Sequence, residues 1–254
     1  MEEIKKRNNF LLLIHNPPDL DSTASCVAMK HVLIQLGKKA TIILGDNSKD
    51  QIFSDWLLKK EDIDEMEETK FSEVNFSQYD CYIALDTPSL LHISHIPVPT
   101  VPFPIKSICI DHHVVANSNF GDINLIFQAS SVTAILFDLF MLWNIQIDPY
   151  LATILYAGIF SDSLGFKVTL TDIKSFKISA ELIERGADFL KVGFSISSQP
   201  NNILKAIGIA LSRIEEYGGG KITVSYFTNV DAKECKLQFN THGIHRIIMS
   251  HMSS

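Results

Sequence analysis

This sequence has little that would place it in a membrane, export it from a cell or bind it along a nucleic acid. No apolar run reaches the ~18 residues that a membrane span needs. The start, Met1-Glu2-Glu3-Ile4-Lys5-Lys6-Arg7, is charged and lacks an apolar region long enough for an export signal. Basic side chains number 22 against 29 acidic ones, a formal charge of −7, so no cationic field is available to grip a long duplex. A short anionic substrate remains possible if metals or a few local cations hold it. Cysteines are also few: Cys26, Cys81, Cys109 and Cys235 are scattered, with no Cys-x-x-Cys pair. Two of them sit in apolar, strand-like runs. They read as reduced core thiols, and a cytoplasmic location is expected.

What is present is a core. The chain has 254 residues, 46% of them hydrophobic, enough for one large domain or one domain with an appendage. Phe10 to Ile14 reads as a buried parallel strand. Ser22 or Thr23 is expected to cap the next helix, which stops at Gly37. Further strands are expected at Ala40 to Leu44, Cys81 to Leu85 and Ile108 to Ile110. Helices are expected at Ser130 to Trp143, Pro149 to Phe160, Thr171 to Arg185 and Asn201 to Tyr217. Gly218-Gly219-Gly220 then turns into a strand from Lys221 to Phe227. Strands alternating with helices predict an α/β fold, a mostly parallel sheet flanked by helices. The acidic run Glu61 to Glu68 reads as a solvated helix face or loop. Pro97, Pro99, Pro102 and Pro104 predict an irregular connection.

The chemistry concentrates where strands end. His15, Asp19 and Asp21 follow the first strand, in a loop stiffened by Pro17 and Pro18. Asp86 ends the third strand, and Asp111-His112-His113 ends the fourth. Asp162 follows an apolar helix. An open α/β sheet builds its site at the carboxyl ends of its strands. Imidazole combined with carboxylate suits Mn, Fe, Co, Zn or Mg better than a thiolate-seeking metal. The carboxylates outnumber what one catalytic ion needs, which points to two ions sharing a bridge.

Together, His15-x-x-x-Asp19-x-Asp21, Asp86, Asp111-His112-His113 and Ser161-Asp162-Ser163 resemble the four motifs of the DHH family of phosphoesterases. Within it the chain is most similar to the RecJ-like, nano-RNase/pAp-phosphatase type, which includes cyclic-di-AMP phosphodiesterases. The resemblance implies two manganese ions, one on His15 and Asp19, the other on Asp21, His112 and Asp162, with Asp86 bridging. It further implies Asp86 and His113 as catalytic residues. A water made acidic by both ions would attack, and His113 would meet the scissile phosphate. Asp111 would orient a histidine or its loop. Asn16, Ser163 and Lys167 are the candidate substrate contacts. Ser163 keeps the hydroxyl of the family's threonine, and Lys167 keeps the charge of its arginine without the bidentate fork.

The resemblance also implies domains: a DHH catalytic domain over 1–190, a linker over 191–202 and a partial second α/β domain, DHHA1, over 203–254. The family's Gly-Gly-Gly-His motif has no clear counterpart. Gly218-Gly219-Gly220 is followed by Lys221, comes too early and reads as a turn; His242, His245 and His251 read as a tail and not as ligands. Implied substrates are short nucleotides: oligoribonucleotides of a few residues, pAp, or cyclic-di-AMP and its linear product pApA. No long duplex and no membrane are expected as partners, and a homodimer is possible. Two other readings stay open: a nucleotide-binding or regulatory module with weak or lost activity, and a type II inorganic pyrophosphatase.

Overall fold

The structure is a computed structural model that describes residues 1–49, 56–89, 92–93, 105–113, 120–198 and 201–237. The proline cluster at 97–104, Gln199-Pro200 and the histidines at 242, 245 and 251 lie outside the described residues. The described chain forms two compact units, Met1–Ser195 and Ile196–Ser254.

The first unit is an α/β layer built on a five-stranded, wholly parallel sheet. Its strands are β1 (Asn9–Leu13), β2 (Lys39–Ile43), β3 (Cys81–Leu85), β4 (Lys106–Asp111) and β5 (Ile123–Ile126), in the order β2-β1-β3-β4-β5. Phe10 through Leu13 are fully buried, which is why β1 reads as an unbroken apolar run. Each such leucine contributes roughly 1.5–3 kcal/mol by leaving water. Leu11 and Leu13 join Ile43, Phe71, Tyr82, Ala84 and Ile93 in one cluster. Phe10 and Leu12 alternate to the other face. Helix α1 (Glu2–Lys5) precedes the sheet, and α3 (Lys60–Asp64) takes part of the acidic run.

The long helices are α2 (Leu20–Gln35), α4 (Val132–Leu142), α5 (Pro149–Asp162), α6 (Ile173–Glu184) and α7 (Phe189–Ser197). α2, α4 and α5 pack on one another. α2 is buried from Asp21 to Met29 on every side, so its small and apolar residues form no stripe. Capping fixes where the helices start. Ser131 caps α4, Asp148 with Pro149 starts α5, and Asp172 with Ser175 makes a capping box on α6. Among the described residues, no helix is long and apolar enough to cross a membrane.

The second unit holds α8 (Asn201–Leu211), the antiparallel pair β6 (Glu215–Tyr217) and β7 (Ile222–Val224), and α9 (Asn229–Glu234). Gly218, Gly219 and Gly220 all take positive φ in the turn between the strands. Arg213 grips Asp231 through two nitrogens at 2.6 and 2.8 Å, and Asp231 also closes the capping box with Thr228.

Several boundaries differ from the sequence reading. Asp19, not Ser22 or Thr23, caps α2, because its carboxylate reaches the Ser22 N–H at 2.9 Å. β5 was not anticipated; as a half-buried edge strand it lacks a strong apolar signature. The helix expected over Asn201 to Tyr217 ends at Leu211, and its last residues pair as β6. Helix α7 occupies much of the expected linker.

Candidate metal centre

The strand order places the site. Between β1 and β3 the connections leave in opposite directions, since β2 lies beyond β1 and β4 beyond β3. Side chains following these strands therefore line the crevice at a topological switch point. His15 follows β1, Asp86 follows β3, and His112 and His113 follow β4. Asp21 enters from the first turn of α2, and Asp162 is the last residue of α5.

The side chains converge. His15 Nε2 lies 3.3 Å from Asp19 Oδ2 and 3.6 Å from Asp86 Oδ2. His112 Nε2 lies 3.4 Å from both Asp86 Oδ1 and Asp162 Oδ2. The donor atoms of His15, Asp19 and Asp86 fall within 4.8 Å of one another, and so do those of Asp21, His112 and Asp162. Asp86 thus touches both sets, one oxygen toward each histidine. Exposure grades across the site: Asp21, Asp86, Asp111 and His112 are buried, while Asp19 and His113 have 40% and 46% of their side chains in solvent.

Main-chain geometry sets these positions. Asp86 has φ 54°, a left-handed conformation uncommon outside glycine but more accessible to aspartate than to most residues. Such backbone costs on the order of 1–3 kcal/mol and clusters at functional sites. Its N–H still bonds to Ile110 O at 3.0 Å, continuing the sheet ladder. Asn47, after β2, donates from Nδ2 to the His15 and Leu44 carbonyls at 3.2 and 2.8 Å. The His112 Nδ1 lies 3.1 Å from Ala129 O, which fixes that nitrogen as a donor, so that in the neutral ring the lone pair falls on Nε2. The Asp21 carboxylate accepts from Val132 N, Thr133 N and Thr133 Oγ1 at the start of α4.

Burial and close opposite charges together set the electrostatics of the crevice. Burial opposes a charge on His15, but Asp19 and Asp86 outweigh it and raise its pKa to about 10. His112 is raised to about 10 in the same way, against burial, by Asp86, Asp21 and Asp162. Burial would raise Asp86, yet His112 and His15 hold it well below the usual carboxylate range. Burial lifts Asp21 well above that range. Asp162 goes to about 6, because burial and the Asp86 charge outweigh His112. Asp86 Oδ1 and His112 Nε2 are buried without a hydrogen-bond partner. Buried polar atoms seldom stay unpaired. Two imidazoles and four carboxylates facing a common gap are the donor set of hard to borderline divalent cations, so these residues fit a metal pair.

Other expected residues fall in different places. Asp111 is fully buried, and its Oδ1 accepts from His112 N, His113 N and His113 Nδ1 at 2.8, 3.2 and 2.9 Å. The Asp111 hydrogen bond raises His113 above its ordinary value. Ser163 is buried, with its hydroxyl accepting from Phe166 N and donating to Phe160 O. It therefore serves the turn after α5, where Leu164, Gly165 and Phe166 all have positive φ. Lys167 is exposed, and Asn16, half-buried, donates its N–H to His92 O. Sequence reasoning missed Asn47, Ala129, Val132 and Thr133. The Ser131 cap was the available clue to the last two.

A shared crevice of histidine and aspartate at a parallel-sheet switch point defines a candidate two-cation centre. The chain belongs to the DHH family of phosphoesterases, hydrolases of phosphoester bonds: residues 9–159 match the family's N-terminal domain. A probable bifunctional oligoribonuclease and PAP phosphatase NrnA of Streptococcus mutans is 24% identical over 89% of this chain and 69% of its own length. A probable manganese-dependent inorganic pyrophosphatase of Bacillus velezensis is 28% identical over 89% of this chain and 73% of its own. This chain spans only 61% of a second NrnA, 24% identical, from Thermus thermophilus. An exopolyphosphatase-related protein from Bacteroides fragilis shares the fold, with a TM-score of 0.84 at 20% identity, covering 98% of this chain and 74% of that one.

Proposed function

We propose that this chain is a two-metal phosphoester hydrolase that uses manganese and acts on short nucleotides: oligoribonucleotides of a few residues, pAp, or cyclic-di-AMP and pApA. One observation carries the reading: Asp86 stands between two compact donor sets, His15 with Asp19 and Asp21 with His112 and Asp162. Divalent ions held there would supply an acidic water and neutralise phosphate charge. Family membership and the relatives' names support the hydrolytic class. The chain's formal charge of −7 agrees with a small phosphate held locally and not along a basic groove.

The chain's own residues would divide the remaining work. His113, half in solvent and held by Asp111, would donate to a phosphate oxygen or protonate the departing one. His112, its ring fixed by Ala129 O, would present Nε2 as a neutral donor. Lys167 and Asn16 would meet the far side of the substrate. The pyrophosphatase relative favours a second reading, inorganic pyrophosphate as the substrate. A panel decides: bis-p-nitrophenyl phosphate, pAp, a dinucleotide and pyrophosphate, each with manganese, on the parent and on Asp86→Ala. Nucleotide hydrolysis lost in the variant is the expected result. Hydrolysis of pyrophosphate alone favours the second reading. Two bound ions with no turnover of any substrate would point to a binding module, and an unchanged Asp86→Ala rate would sink the metal assignment.

A further inference from the structure

The ligand Asp21 has an unusual set of partners. It lies in α2, yet among the described residues its side-chain hydrogen bonds all come from the start of α4, more than a hundred residues later in the chain. Oδ1 accepts from Thr133 Oγ1 at 2.7 Å and Thr133 N at 3.2 Å; Oδ2 accepts from Val132 N at 2.7 Å. Two bonds saturate Oδ1, and one bond leaves Oδ2 with a free lone pair.

The donors form a directed chain. Thr133 gives its hydroxyl proton to Asp21, so Ser131 Oγ, 2.9 Å away, must donate to Thr133. Ser131 in turn accepts from Ala134 N at 3.1 Å. Every hydroxyl therefore points its proton toward Asp21, at the positive end of α4. The same short segment supplies Ala129 O, which fixes the His112 ring. Backbone packing closes the arrangement. A Cβ on Gly158 of α5 would lie 2.5 Å from the Thr133 side chain and 2.6 Å from Asp21 Oδ1, so only glycine leaves room for this contact.

We propose that Thr133 is a positioning residue for one of the two cations: its hydroxyl and amide lock Asp21 Oδ1, so that Asp21 offers the metal a single oxygen, Oδ2, in a fixed direction. Residues 129–133 then orient two of that ion's four protein ligands, Asp21 and His112, the others being Asp162 and the bridging Asp86. The His15–Asp19 ion has no ligand held by this segment. The inference rests on the two-ion reading above and adds an asymmetry to it.

Manganese titration of the metal-free protein, followed by calorimetry and by the spin resonance of free Mn2+, tests this without any turnover. The parent should bind two ions. Thr133→Val should weaken one of them by about 10- to 100-fold, the usual effect of losing a group that orients a ligand. The other ion should hold its affinity, and Thr133→Ser should restore both. Ser131→Ala, which removes the upstream hydroxyl and with it the α4 cap but leaves Thr133 in place, should weaken the same ion by a smaller factor, and it serves if Thr133→Val fails to fold. A parent that binds no manganese defeats the two-ion reading itself. A parent that binds two, with Thr133→Val or Ser131→Ala leaving both affinities unchanged or lowering both equally, overturns the role of Thr133 alone.

Discussion

Asp111 Oδ1 lies 2.9 Å from His113 Nδ1 and also accepts the backbone N–H groups of His112 and His113. One buried oxygen therefore sets the peptide that carries the first histidine and the ring of the second. With Nδ1 so held and 46% of the side chain in solvent, Nε2 is the nitrogen that would meet a substrate in the proposed reaction. Asp111→Asn would substitute an amide that can donate where only acceptance fits, favouring the wrong ring tautomer. Turnover should fall by roughly 10- to 100-fold while manganese content stays at the parental level. Steady-state kinetics and metal analysis on the same preparation check this. Unchanged turnover would show that Asp111 serves the fold alone.

The site should make the metal-free protein pH-sensitive in a particular direction. His15 and His112 are raised to about 10 in the folded chain, against about 6.5 when unfolded. Their contribution to stability is therefore complete below about pH 6.5 and lost as pH rises through about 10. A divalent ion binding to these imidazoles would have to displace those protons. Without metal, the melting temperature should decline across that window; with saturating manganese the decline should shrink or reverse. Calorimetry in two buffers of different ionisation enthalpy should detect proton release. A metal-free melting temperature that climbs over the same window contradicts the picture.

Gly158→Ala tests the packing behind Asp21. The added methyl would meet Thr133 and Asp21 at 2.5–2.6 Å, far inside normal contact. Overpacking of this kind costs about 1–3 kcal/mol, enough to outweigh alanine's better helix propensity. Urea unfolding should show the loss, and it should be larger with manganese present if Asp21 is a ligand, because the shift falls on its carboxylate. An equal loss with and without metal would confine the effect to packing.

Much of this was legible in the sequence, for a physical reason. Parallel strands buried on both faces must be apolar throughout, so Phe10 to Leu13 and Cys81 to Leu85 stand out, and the polar residues that end them mark the crevice. What could not be seen depends on contacts distant in the chain. Asp19 and Asp21 are both plausible caps by type; only the tertiary structure shows that Asp19 caps its own helix while Asp21 is held by another. Edge strand β5 and the Glu215–Tyr217 strand are half-buried or exposed, and solvated backbone leaves little periodicity to read.

A cluster away from the candidate metal site offers a control. Tyr150 donates its hydroxyl to Asp62 and accepts from Lys59 N at 3.1 Å, with the His31 ring 5.1 Å away. Tyr150 lies near the start of α5, about 18 Å along the helix from Asp162. Tyr150→Phe leaves the largely buried Asp62 short of a donor and should cost about 1–3 kcal/mol in denaturant unfolding. Manganese affinity and turnover should not move. A fall in either would mean that strain at this end reaches the crevice through α5.

Asp19 carries two duties at once. One oxygen caps the longest helix at Ser22 N, and the other stands 3.3 Å from His15, facing the cation gap. A metal that draws on this carboxylate also draws on the hydrogen bond that begins α2. An ion bound at the His15–Asp19 set would thereby reach the main chain of α2, where amide exchange at Ser22 would register its arrival without any substrate in view.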